Sequence, residues 1–138
     1  MFELPYSFGV RVGAPVDATR PIVEAALRAE GFGVLTEIDV AATLRAKLGI
    51  ETEPYLILGA CNPPLAHRAI TANPSIGTLL PCNVVVRRDG AETVVEAMDP
   101  RAALGLAHDP GIEEVATEVR DKLVRVIEAV AADALQEA

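Results

Sequence analysis

Apolar and polar residues alternate from residue 6 to residue 12. Tyr6, Phe8, Val10 and Val12 share one side, and Ser7, Gly9 and Arg11 share the other. Successive side chains of a strand point to opposite faces, so this pattern predicts a half-buried strand. Asp17 or Thr19 is then placed to cap a helix with Pro21 in its first turn. Ile22, Val23, Ala26 and Ala29 give that helix an apolar stripe, and Gly31 ends it. A second alternation, Phe32, Val34, Thr36 and Ile38, predicts a strand over 32–38. Val40, Leu44 and Leu48 fall four apart and predict a short helix closed by Gly49.

The nearly continuous apolar run from Tyr55 to Ala60 predicts a central strand. Asn62 followed by Pro63 suits the cap and first position of a helix running through Ile70. Asn73-Pro74-Ser75 breaks the chain, and Gly77 helps it turn. Val84–Arg88 and Thr93–Met98 flank the hairpin signal Asp89-Gly90. Asp99-Pro100 starts a short helical turn, and Asp109-Pro110 starts the last helix. There Ile112, Val115, Ala116, Val119, Leu123, Val126, Ile127, Val130 and Ala134 recur at helical period. The order β-α-β-α-β-α-β-β-α, with a hairpin beside helical crossovers, predicts an α+β fold. Its mostly antiparallel sheet is crossed by the long C-terminal helix. With no linker, repeat or low-complexity tract, residues 1–138 read as one domain.

Composition narrows the function classes. Hydrophobic residues make up 51% of the chain and charged residues 23%, enough apolar content for a packed core. Aromatics are only 4%, without Trp, which argues against single-stranded nucleic-acid binding by base stacking. A net charge of −8 is the wrong sign for displacing counterions from nucleic acid or for holding an anionic membrane surface. Residues 1–10 do not read as a signal segment, and no run approaches the ~20 apolar residues of a spanning helix. A cytoplasmic location is expected, with both cysteines as thiols.

Candidate chemistry reduces to two cysteine-asparagine turns, Cys61-Asn62 and Cys82-Asn83, separated by 20 residues. Cys61 ends one strand and Cys82 precedes another, so adjoining strands would bring both turns to one end of the sheet. Several readings follow. Each Cys is a small buried hydrophobe and each Asn a turn cap. Alternatively Cys61, Asn62, Cys82 and Asn83 line a small-ligand site. A soft ion such as Cu(I) or Zn would take Cys61 and Cys82 with His67, or with Met98. Closing four ligands would then need both histidines or a dimer. Finally, Cys61 before a helix N-terminus would serve a thiol-dependent redox enzyme or sulfur carrier.

Elsewhere the residues read more plainly. His67 fits a surface position on its helix, and His108 fits a solvated loop beside the Asp109 cap. Asp39 and Asp99 fit N-caps, and Arg87 and Arg88 fit charges protecting a hairpin edge. Gly31-Phe32-Gly33 lacks the spacing of a dinucleotide loop, and no Ser-His-Asp arrangement is visible. An enzyme assignment therefore has little to stand on.

Three blocks carry a family resemblance: Tyr55-Leu-Ile-Leu-Gly-Ala-Cys-Asn-Pro, Pro74-Ser-Ile-Gly-Thr-Leu-Leu-Pro-Cys-Asn-Val-Val-Val and Ala97-Met-Asp-Pro. With the upstream Gly31-Phe-Gly-Val-Leu-Thr-Glu-Ile-Asp-Val, they resemble the bacterial and archaeal family called domain of unknown function 302. The resemblance implies a TATA-binding-protein-like α+β domain with helices on one face of a curved antiparallel sheet. It implies no activity, and fold likeness does not carry DNA binding. The expectation is a non-enzymatic domain binding a small ligand or metal at the Cys61/Cys82 end. A homodimer would protect its sheet edges, and a purely structural or interaction module is the alternative.

Overall fold

A computed structural model describes residues 1–137, with side chains through residue 134. In chain order its elements are β1 (Phe2–Leu4), β2 (Ser7–Val12), α1 (Val16–Ala29), β3 (Gly33–Asp39), α2 (Val40–Leu48), β4 (Tyr55–Cys61) and α3 (Pro63–Ala72). They continue with β5 (Cys82–Asp89), β6 (Glu92–Met98), α4 (Pro100–Leu104) and α5 (Pro110–Glu137), with 3-10 turns at Pro74–Leu79 and Gly105–Ala107. The strands form one antiparallel sheet in the order β1-β2-β6-β5-β4-β3. The fold is α+β.

Strand alternation divides this sheet into two unlike faces. Phe8, Ala97, Val84 and Leu58 form one cross-strand row, and Val10, Val95, Val86 and Leu56 the next. Both rows belong to the core with Val23 and Leu27 of α1, Leu65 of α3, Leu104 of α4 and the apolar stripe of α5. All nine residues of the predicted C-terminal stripe are buried. Helix α5 keeps its period across about six turns, from Ile112 to Ala134, because this side packs against the sheet and against α1, α3 and α4. Removing such an aliphatic side chain typically costs about 2–5 kcal/mol.

The opposite face has rows of another character. Ser7 pairs with Met98, Gly9 with Glu96, and Arg11 with Val94. On the far side of β6, Glu96 pairs with Val85 and Val94 with Arg87, and Tyr55 lies opposite Arg87. The core helices lie on the other face.

Several local expectations are corrected. Neither Asp17 nor Thr19 caps α1; Pro15 occupies that position without a side-chain bond. Thr19 is fully buried and its hydroxyl donates to the Pro15 carbonyl at 2.9 Å, while Pro21 lies inside the helix. Tyr6 leaves the strand alternation because a β1–β2 turn intervenes, and it is exposed. Strand β1 went unforeseen because three residues are too few to display a period.

In β3 the predicted single face is broken. Val34 pairs with Ala60 and Thr36 with Gly59, so one extra residue, Leu35, bulges out of the ladder and resets the alternation. Arg87 and Arg88 are not at a sheet edge, since β5 and β6 are the two central strands. Arg88 instead bonds the Gly90 and Ala91 carbonyls around the hairpin and reaches the Ala14 carbonyl.

Candidate functional site

The two cysteine-asparagine turns meet because β4 and β5 are neighbours and Ala60 pairs directly with Cys82. Paired residues point the same way, so Cys82 faces the core with Ala60. Cys61, one residue further, lies past the last β4–β5 pair and is paired with Gly33 of β3 at the sheet's end. Cys82 is buried and Cys61 half-buried, and both are free thiols. They line one cavity of about 360 Å³ at this end of the sheet, together with Phe32, Leu65, Ala69 and Leu104. Its walls are apolar apart from the thiols, Thr36 and Asn62.

Asn62 is explained by the fold. Its Oδ1 accepts from the Leu65 amide at 3.4 Å, capping α3, and its Nδ2 donates to the Glu30 carbonyl at 3.2 Å. Pro63 at the first helical position needs no hydrogen-bond partner, as the sequence predicts. Asn83 takes no part in this cavity. It pairs with Gly59 and lines the groove on the uncovered sheet face.

His67 is also elsewhere. Leu65 and Ala69 are the buried positions of α3, and a residue two past Leu65 lies about 200° around the helix, on the solvent side. His67 is exposed and lines a separate shallow depression with Arg68 and Thr71. Met98 belongs to the uncovered face. Among the described residues, no three or more His, Cys, Asp or Glu side chains are grouped to hold a metal ion.

The electrostatics of the cavity favour thiols over thiolates. Burial pushes the Cys61 thiol up. Burial, with a smaller contribution from nearby Cys61, pushes Cys82 up to about 11. A reactive cysteine requires the opposite displacement.

The uncovered face carries residues that the alternation of β2 showed but did not interpret. A broad groove of about 1400 Å³ runs over this face and around the end of β1, beyond which the edge of β2 has no strand neighbour. On its floor Glu96 accepts from the Ser7 hydroxyl and from Arg87 Nε, each at 3.3 Å. The Arg87–Glu96 pair is only 29% and 16% exposed at its two side chains. Gly9 makes room for it, since a Cβ there would stand 2.3 Å from the Val95 carbonyl and 2.7 Å from Glu96 Cβ. Nearby, Arg11 donates to Asp89 at 2.9 Å, which holds the Asp89 carboxyl below its usual range. The available signal was Ser7, Gly9 and Arg11 on the non-core side of an interior strand; their partners Glu96 and Arg87 required the topology.

No helix among the described residues is long and apolar enough to cross a membrane. No curated protein matches the chain. A crystal structure of an uncharacterized conserved protein DUF302 from Bacillus stearothermophilus is similar, with a TM-score of 0.84 and 30% identity. The match covers 90% of this chain and 97% of that one. The family model for Domain of unknown function DUF302 matches residues 8–130, spanning most of β2, all of β3 to β6, both cysteine-asparagine turns and most of α5, and the chain belongs to that family.

Proposed function

We propose that the chain is a non-enzymatic binding module that takes a compact, uncharged apolar ligand in the Cys61/Cys82 cavity. One observation carries this reading: two cysteines remote in sequence converge on a single apolar cavity of about 360 Å³. That volume lies within the range of small-molecule sites, which combine apolar walls with few polar groups. The upward displacement of both thiols counts against a redox thiol, which requires thiolate at neutral pH. A soft-metal site is disfavoured because among the described residues no third His, Cys, Asp or Glu joins the two thiols. We also infer that the protein works as a homodimer in the cytoplasm, joined along the free edge of β3.

The test uses the uncharged dye N-phenyl-1-naphthylamine. Titrated into the protein, it should give saturable fluorescence enhancement at one dye per chain. Cys61→Leu, which fills the cavity from a half-buried position, should abolish the enhancement while the thermal transition is retained. Enhancement that never saturates, or that survives the filled cavity, overturns the proposal. Zinc titration provides the contrast: one ion per chain with release of two protons would favour the metal reading instead.

A further inference from the structure

The groove on the uncovered sheet face has a donor surplus at its floor. Both oxygens of Glu96 are engaged, one by the Ser7 hydroxyl and the other by Arg87 Nε. Arg11, the neighbouring cation, is committed to Asp89 at 2.9 Å and Glu92 at 3.8 Å. Arg87 uses only Nε, and among the described residues neither of its terminal nitrogens has a hydrogen-bond partner. A guanidinium offers five donors in a fixed fork, so Arg87, which lines the groove, has donor capacity to spare. Asn83 adds an amide, and Tyr55, directly across the ladder from Arg87, adds a phenol.

Apolar groups surround this polar floor. Val85, Met98, Leu4 and Phe2 line the same groove, and Val94, flanked by Arg11 and Arg87 in the ladder, is fully buried outside the core cluster. The ion pair is held in place by the backbone, because Gly9 leaves the space into which Glu96 fits. A preorganised guanidinium edge within apolar walls is complementary to one planar acceptor attached to an apolar body. Bidentate carboxylate recognition by arginine matches that geometry.

We propose that the uncovered sheet face is a second binding site, selective for a small monocarboxylate with an apolar tail, with Arg87 as its anchor. Glu96 is a positioning residue, fixing the guanidinium through Nε so that the terminal nitrogens face the ligand. The site is separate from the Cys61/Cys82 cavity and does not depend on the function proposed for it.

Isothermal titration with decanoate and with decanol, its uncharged counterpart, tests the proposal. Wild-type protein should bind decanoate about tenfold more tightly than decanol or better. Arg87→Gln should abolish that preference, and so should Arg87→Gln/Glu96→Gln, which leaves no unpaired charge behind. Equal affinities in the wild type, or no decanoate binding at millimolar concentration, overturn it. So does decanoate binding that survives Arg87→Gln but is lost in Cys61→Leu, because the ligand then occupies the other cavity. The wild-type comparison decides even where a variant fails to fold.

Discussion

Asn62 holds the end of α1 to the start of α3, donating its side-chain amide to the Glu30 carbonyl across 32 residues of chain. The same side chain caps α3 through the Leu65 amide. Gly31 sits between these contacts with φ +84°, and a Cβ there would lie 3.1 Å from Asn62 Nδ2. The asparagine following Cys61 is thus required by the backbone around the cavity, whatever the cavity holds.

Asn62→Ala should therefore destabilise the protein by about 2 kcal/mol. Losing the cap contributes about 1 kcal/mol, and the Glu30 carbonyl loses its donor as well. Asn62→Ser keeps a capping oxygen and loses the amide that reaches Glu30 without adding a charge, so it should fall between the alanine variant and wild type. Urea denaturation midpoints measure the order. Equal effects of the two substitutions would show that the capping bond to Leu65 contributes nothing.

Gly9→Ala should cost about 1–3 kcal/mol, the usual range for overpacking. The atoms its Cβ would meet are mostly backbone, the Val95 carbonyl at 2.3 Å and Glu96 Cα at 2.8 Å, which cannot swing aside like a side-chain end. Gly13→Ala, with nothing within 4 Å, is the control and should be near neutral. Thermal unfolding of both variants compares them directly.

The periodic elements were legible because burial acts on one face at a time. The α5 stripe and the Phe8, Val10 and Val12 side of β2 were visible for that reason. The Asp39, Asn62 and Asp99 caps were visible because each uses a local side-chain bond. Thr19 misled because a hydroxyl can serve a carbonyl behind it as readily as an amide ahead. The β3 bulge was hidden because Leu35 looks like any strand residue until β4 is placed beside it. Of the candidate site, the meeting of Cys61 and Cys82 at one cavity was foreseeable from adjoining strands. The departure of Asn83 and His67 from it was not, since each follows from which way its own element faces.

The proposed homodimer predicts that β3 is its contact. Leu35 and Ile38 on this strand are exposed, as are Leu48 and Ile50 at the end of α2 and in the segment after it, and α2 buries none of its own residues. Light scattering after size exclusion should give twice the chain mass at micromolar concentration, and Ile38→Lys should give a monomer. That variant should change monomer stability little, within about 0.5 kcal/mol, because position 38 is already exposed. A monomeric wild type would remove the dimer.

Cys82 makes stability depend on pH above the neutral range. Its folded thiol is pushed up to about 11 by burial, whereas the unfolded thiol titrates near 9.0. Between these values the unfolded state has released the proton and the folded state still holds it, so unfolding becomes more favourable as pH rises. The contribution is complete below about pH 9 and is lost as pH climbs through 11. A displacement of two units corresponds to roughly 2–3 kcal/mol. Urea midpoints at pH 8 and pH 10.5 should therefore separate more in wild type than in Cys82→Ala. Every other titrating group is common to both proteins, so the difference of slopes isolates this thiol. At pH 8 iodoacetamide should modify Cys61 before Cys82, which should react at the rate of an ordinary thiol only after unfolding. Parallel pH slopes, or early alkylation of Cys82, would mean that this thiol is not held in an apolar, water-poor setting.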